Sequence, residues 1–114
     1  MARTALTALS AAVTGLNLTD NLTAAIADGH KFANPLGKTM FYAYNSSGGS
    51  ITVTIQTPQT VEGLAVAENA VAIAAGKSYL FDGLKRSTFN QSDGTVYVDY
   101  SAHADLSVAA INPV

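Results

Sequence analysis

The sequence of 114 residues contains no cysteine and no tryptophan. Without cysteine the chain has no disulfide framework, no thiolate metal site and no cysteine nucleophile. Without tryptophan it lacks the aromatic side chain that stacks most strongly on sugars. A chain of this length still buries enough apolar surface to form one domain without cross-links or metal.

Charge is also scarce, because charged residues make up 12% of the chain and its formal net charge is −2. Typical soluble domains have about 25% charged residues. The six basic residues are scattered, and only Lys85 and Arg86 are adjacent. Since nucleic-acid binding needs a concentrated positive field, we expect no direct nucleic-acid partner. A weakly charged surface resists association poorly, which indicates that a partner covers part of it.

Long hydrophobic runs are missing too. No apolar stretch approaches the roughly 20 residues that a transmembrane helix requires, so we expect no membrane partner. The first twelve residues carry one basic residue before a mildly apolar stretch. Thr4, Thr7 and Ser10 interrupt that stretch, and we therefore expect no signal peptide.

What the sequence does contain is alternation with a period of two. Ile51, Val53 and Ile55 alternate with polar residues, which predicts a half-buried strand over residues 50–56. The glycine-rich cluster at 45–49 separates it from an aromatic segment at 39–44, and we expect these two segments to form a β-hairpin.

A second set of strands is predicted near the C-terminus. Residues 95–100 place Val96, Val98 and Tyr100 on one face, after a turn at 92–94. Residues 87–90 are a candidate partner strand, and 106–111 form the last one. Short strands with turn residues every 8–12 positions are typical of sandwiches and barrels. We therefore predict an all-β, jelly-roll-like antiparallel β-sandwich of about eight to ten short strands.

The first 30 residues fit neither period well. Leu6, Leu9, Val13 and Leu16 have helical spacing, but the threonines among them disfavour a helix. We favour extended structure: an N-terminal arm or first strand at 1–20, ordered by a neighbouring molecule, followed by the sandwich domain at 21–114. One helical turn is compatible with 21–32.

No group of residues forms a recognisable reactive site. His30 with Asp28, or His103 with Asp105, offers two metal ligands two residues apart, whereas zinc sites need three or four. We interpret both histidines as solvated loop residues. The carboxylates are spread along the chain, and turns or exposed strand faces explain them, as in Asp82-Gly83, Asp93-Gly94 and the outward Asp99. The eight are Asp20, Asp28, Glu62, Glu68, Asp82, Asp93, Asp99 and Asp105.

Other catalytic motifs are missing as well. The serines around Gly48 and Gly49 do not form a nucleophile elbow, and no phosphate-binding glycine loop occurs. We predict no catalytic residue, no metal and no cofactor, and hence no enzyme. Among the aromatic residues, the outward-facing Tyr97 is the one we expect to face a partner.

Several segments resemble small virion proteins of tailed bacteriophages, of the head decoration or capsid cement type. They are residues 29–34, 37–39 with the aromatic strand ending at Asn45, 52–58, 61–66, 75–77 and 89–96. The stretch that contains them, residues 28–99, covers roughly two thirds of the chain.

The resemblance implies a structural role on the virion. A cement protein is made in the host cytoplasm, binds the major capsid protein on the outside of the shell, and stabilises it without chemistry. Homotrimers are common among such proteins, and we expect one here. Two alternatives remain open: a tail or head–tail connector component, and a carbohydrate-binding β-sandwich module.

Overall fold

The computed structural model describes residues 3–58, 60–61, 63–65 and 68–113. Two residues of the predicted arm, 1 and 2, lie outside the described residues. Glu62 and residue 66, which belong to a segment that resembles virion proteins, lie outside them too, as do residues 59, 67 and 114. The strands are β1 (Thr4–Leu6), β2 (Leu9–Ser10), β3 (Thr23–Ala24), β4 (His30–Ala33), β5 (Met40–Asn45), β6 (Ile51–Ile55), β7 (Thr60–Val61), β8 (Leu64–Ala65), β9 (Asn69–Ile73), β10 (Ser78–Phe81), β11 (Thr95–Tyr100) and β12 (Leu106–Asn112). A 3₁₀ turn spans Thr19–Asn21, and a single-turn helix, α1, spans Arg86–Phe89.

The strands form two five-stranded sheets that pack face to face. Sheet A has the order β1-β4-β11-β6-β9. Sheet B has the order β10-β5-β12-β2, and β3 also pairs with β12. The short pair β7–β8 stands apart from both. The predicted all-β sandwich is confirmed. The strand number exceeds the prediction because β2, β3, β7 and β8 have only two residues each, too few to show alternation.

The N-terminal segment contributes to both sheets. β1 pairs in parallel with β4, and β2 pairs in parallel with β12, whereas the other pairs are antiparallel. Both sheets therefore contain parallel as well as antiparallel pairs, whereas we predicted antiparallel pairing alone. Parallel pairing requires a long connection, which the residues between β1 and β4 provide. Leu6 reaches the core, and the favoured extended structure is found at β1 and β2. The predicted boundary at residue 20 stays a prediction.

The core lies between the sheets and follows the predicted alternation. On β6, Ile51, Val53 and Ile55 are buried, and on β11 so are Val96 and Val98. Phe32 of sheet A stacks on Phe41 of sheet B, with ring centroids 5.7 Å apart. Phe81 packs beside Phe41, at 6.0 Å. The outcome confirms the inward faces assigned to 51–55 and 95–100.

The predicted hairpin between 39–44 and 50–56 is wrong. β5 belongs to sheet B and β6 to sheet A, so the chain crosses from one sheet to the other at 46–50. The buried Asn45 holds this crossover: its Nδ2 donates to the carbonyls of Gly49 (2.8 Å) and Ile73 (2.9 Å). Its Oδ1 accepts from the amide and hydroxyl of Ser47. A hairpin needs both strands in one sheet, and these bonds direct the second strand into the other sheet.

The predicted strand at 87–90 is also wrong, because this segment contains the helical turn α1. The amides of Thr88 and Phe89 donate to the carbonyl of Lys85. Phe89 packs against the core, and the buried Asn90 exchanges hydrogen bonds with Asn34, whose Nδ2 also donates to the carbonyl of Leu84. Tertiary contacts of these two side chains override the weak local preference for a strand.

Gly29 permits a close approach between the N-terminal segment and β11. Its φ is +78°, a conformation that side chains with a Cβ rarely adopt. A Cβ at this position would lie 2.5 Å from Arg3 Nη1 and 2.6 Å from the carbonyl oxygen of Val98. Glycine is therefore required here, and it leaves room for Arg3 to reach β11.

Candidate binding face

The outward side of sheet B carries no charge. None of the residues in β2, β3, β5, β10 or β12 is Asp, Glu, Lys or Arg. The strands of sheet A, by contrast, present Lys31 and Asp99. We call the outward side of sheet B the uncharged face. It consists of the outward residues Leu9, Ala24, Met40, Tyr42, Tyr44, Ser78, Leu80, Ser107, Ala109 and Ile111.

The pairing register arranges these side chains in rows across the sheet. Tyr42 lies between Leu80 and Ala109, and Tyr44 lies between Ser78 and Ser107. Leu80 is 56% exposed and Tyr44 is 37% exposed. Removing large apolar side chains in such positions from water is favourable, and the strands that carry them have no charged residue that would have to be desolvated. The face therefore has the composition of the centre of a protein–protein interface.

The segment between β2 and β3 covers part of this face. Ala109 and Ile111 point outward, away from the core cluster, yet both are buried. Between this segment and the strands lies a groove of about 510 Å³. It is lined by Leu18, Thr19, Leu22, Tyr42, Tyr44, Ser78 and Ser107. The lining combines apolar groups with hydroxyl groups, which suits an uncharged ligand with both kinds of surface.

A second cavity, of about 310 Å³, lies at the end of the sandwich where β5 begins and β12 ends. Pro35, Leu36, Lys38, Thr39, Asn112 and Pro113 line it. Leu36 is largely exposed, and the hydroxyl of Thr39 donates to Asn112 Oδ1 (2.7 Å). The lining includes one cation and no carboxylate, so it offers no acid–base pair.

The opposite side of the molecule, the outward side of sheet A, holds a polar cluster. Arg3 Nη1 lies 2.6 Å from Asp99 Oδ1 and also donates to the carbonyl of Val98. Its guanidinium lies over the ring of Tyr97, 4.5 Å from the centroid. Partial burial by itself would raise the pKa of Asp99, but hydrogen bonds from Arg3 and Gln56 and the charge of Arg3 hold it below its usual value.

Tyr97, which we expected to face a partner, is therefore covered on one ring face by Arg3. It is outward and half-buried, as the alternation predicted. The residues that sequence reasoning missed are Tyr44 and Leu80 on the other sheet. The absence of charge from the segments 40–45, 78–81 and 106–112 was the available signal. Only the pairing shows that these segments form one surface.

His30 was expected in a solvated loop, but it lies in the interior of the protein. It is 1% exposed in β4, and its Nδ1 lies 2.8 Å from the hydroxyl oxygen of Tyr100. The interpretation of His30 as a solvated loop residue is wrong. Burial lowers the pKa of His30 and raises the pKa of Tyr100 well above its usual value, so both groups are neutral at pH 7. His30 is enclosed and Tyr100 is partly buried against the core, so packing explains the pair.

The remaining candidates are turn and surface residues. His103 is exposed, as predicted. Asp82 is exposed in the loop after β10, and its Oδ1 accepts from the amide of Gly83 (2.7 Å). Asp93 Oδ1 accepts from the hydroxyl and amide of Thr95, and these hydrogen bonds lower the pKa of Asp93. Within the ranges that the structure describes, no three His, Cys, Asp or Glu side chains come together to hold a metal ion.

Burial of His30 makes stability depend on pH. The unfolded chain takes up a proton near pH 6.5, whereas folded His30 does so only at lower pH. Above about pH 6.5 His30 is neutral in both states, and its burial causes no loss of stability through protonation. As pH falls below that value the free energy of unfolding decreases, by up to about 1.4 kcal/mol per pH unit. Urea unfolding followed by circular dichroism between about pH 7.5 and pH 5 measures this slope.

Two variants test the assignment of that slope. His30→Gln should flatten the pH dependence in this range, whereas the exposed His103→Gln should leave it unchanged. Equal slopes in the wild type and His30→Gln would contradict the expectation.

No helix in the part of the chain that the structure describes is long and apolar enough to cross a membrane. Comparisons with models of protein families, with curated proteins and with solved structures find no match to this chain.

Proposed function

We propose that this chain is a non-enzymatic virion protein that binds the outside of a bacteriophage capsid and stabilises the shell. The observation that carries the proposal is the uncharged face, where Tyr44 and Leu80 are exposed on strands without a charged residue. The resemblance of the sequence to capsid decoration proteins supplies the identity of the partner, the major capsid protein.

The architecture suits such a role. The two sheets share a core of aromatic and β-branched side chains, so the uncharged face lies on a rigid support. A rigid surface loses little conformational entropy on binding. A protein that binds the assembled shell and not its separated subunits stabilises the assembly by mass action. No reactive group is required for this function, and the imidazole of His30 is buried away from any substrate.

The ordering of the N-terminal arm by a neighbour remains part of this proposal as an expectation. The homotrimer that the resemblance implies is replaced by the dimer proposed below, because the free edge of sheet B favours a twofold pairing. The uncharged face is separate from this choice, since a monomer, dimer or trimer can each present it.

The experiment that tests the function uses purified virions that carry this protein. Cryo-electron microscopy locates the chain, and quantitative mass spectrometry counts it relative to the major capsid protein. We expect many copies distributed over the outside of the shell, with sheet B toward the capsid. Absence of the chain from the particle would refute the proposal, and a single ring at one vertex would assign it to a connector or tail.

One observation favours a second candidate function. The groove lined by Tyr42, Tyr44 and two serines offers ring faces and hydroxyls, the groups with which proteins bind sugars. A carbohydrate-binding module is thus the alternative. A glycan array without hits would exclude it, whereas specific binding that Tyr44→Ala abolishes would support it over the capsid partner.

A further inference from the structure

β10 lies at the free edge of sheet B. Within the described residues it pairs with β5 on one side and with no strand on the other. Three of its four side chains are exposed, and two of them are large: Tyr79 is 41% exposed and Leu80 is 56% exposed. A free edge with large apolar side chains is a template for pairing with another strand.

The backbone of β10 is free to form such a pair. The carbonyl of Lys77 accepts from the amide of Asn45 on β5 (2.9 Å). Because the direction of backbone groups alternates along a strand, the amides and carbonyls of Ser78 and Leu80 point away from β5. Proteins usually protect an edge with proline or a charged residue within the strand, and the sequence of β10 has neither.

The two ends of β10 carry opposite charges. Lys77 precedes the strand and Asp82 follows it, both are exposed, and within the described residues neither forms an ion pair. If a second β10 pairs in parallel, like charges meet at each end. If it pairs antiparallel about Tyr79 or Leu80, Lys77 of one copy lies within one residue position of Asp82 of the other at both ends. The charges therefore favour an antiparallel partner of the same sequence.

We propose that β10 pairs antiparallel with β10 of a second copy of this chain, forming a dimer with one continuous sheet. The twofold axis is perpendicular to the sheet, because only that axis generates an antiparallel neighbour. It passes beside Tyr79 or Leu80, since symmetry requires equivalent residues to face each other at the centre. The uncharged faces of both copies then lie on the same side. The dimer does not depend on the proposed function, but it would double the surface available for a partner.

The edge of sheet A is a poorer candidate. β9 is its terminal strand, but its exposed side chains are Ala70 and Ala72, which bury little apolar area in a contact. That edge therefore provides a matched control position, and Ala72 is exposed on a free edge as Leu80 is.

The first test is the mass in solution by sedimentation equilibrium. We expect the wild type at high micromolar concentration to have twice the 11.7 kDa of the chain. Leu80→Lys places two like charges near the axis and should weaken dimerisation by at least roughly 100-fold. Ala72→Lys should dimerise as the wild type does. A monomeric or trimeric wild type, or a Leu80→Lys variant that dimerises as tightly as the wild type, would overturn the proposal.

Cysteine cross-linking is a second test, and it does not depend on the lysine variant. Because the chain contains no cysteine, one introduced thiol can form a disulfide only between copies. We expect Tyr79→Cys or Leu80→Cys to form a covalent dimer on mild oxidation, and Ala72→Cys to remain reduced. If neither β10 variant cross-links more than Ala72→Cys, β10 is not the interface.

Charge reversal tests the direction of pairing. Lys77→Glu and Asp82→Lys should each weaken dimerisation by roughly 3- to 10-fold, because each interface contains the contact twice. The double variant restores opposite charges at both ends and should recover wild-type affinity. Weakening that is additive in the double variant would exclude the antiparallel arrangement.

Discussion

Replacing Tyr44 with glutamate is expected to abolish binding to capsid shells. Tyr44 is at the open part of the uncharged face, next to Ser78 and Ser107 on the neighbouring strands. A carboxylate there would have to lose its hydration without gaining a cation, because the strands of sheet B carry none. We expect affinity to fall at least roughly 100-fold, equivalent to about 3 kcal/mol. Cosedimentation of the purified chain with shells that lack it measures the effect.

Two variants serve as controls for this measurement. Tyr44→Phe keeps the apolar ring and should retain most of the affinity. Ala72→Glu places the same charge on the exposed edge of sheet A and should bind as the wild type does. If Ala72→Glu is as defective as Tyr44→Glu, general charge repulsion and not the uncharged face explains the loss. If Tyr44→Glu binds normally, the capsid contacts another surface.

Replacing Asn45 with alanine is expected to cause the largest loss of stability among single substitutions at the sheet crossover. The side chain is fully buried, and its amide donates to the carbonyls of Gly49 and Ile73 while its oxygen accepts from Ser47. Removal leaves a buried carbonyl of β9 without this donor and frees the turn that directs the chain into sheet A. We expect the free energy of unfolding to fall by about 3 kcal/mol, measured by urea denaturation.

An asparagine outside the core serves as the control for this substitution. Asn17 forms two side-chain hydrogen bonds, with the carboxylate and the amide of Asp20, where Asn45 forms four, and Asn17 is exposed. Water can replace those bonds, so Asn17→Ala should cost less than about 1 kcal/mol. Similar losses for both variants would mean that burial of the hydrogen bonds at the crossover does not determine the effect.

The sequence was sufficient to locate most long strands and their inward faces. The alternation at 51–55 and 95–100 predicted which side chains are buried, because a strand turns successive residues to opposite sides whatever its neighbours are. The Asp-Gly pair at 93–94 likewise predicted a turn that the structure confirms. These signals come from residues that are close in the sequence, and the local backbone conformation is enough to determine the resulting strand faces and turn.

The sequence was insufficient wherever a residue's partner is distant along the chain. His30 is next to Gly29 in a polar segment, and only the contact with Tyr100, seventy positions later, shows that it is buried. Asn34 and Asn90 are fifty-six positions apart, and their mutual hydrogen bonds keep 87–90 from forming a strand. Arg3 reaches Asp99 and covers one ring face of Tyr97, the aromatic residue that we expected to face a partner.

Composition and alternation by themselves predicted an all-β chain with few charges and with strands at 50–56, 95–100 and 106–111. Tertiary structure alone decided which sheet each strand joins. Alternation is the same in either sheet, whereas the choice depends on polar atoms such as those of Asn45, which bond only when distant segments meet. The uncharged face arises from that choice, because separate segments without charge form one surface only after β5, β10 and β12 have paired.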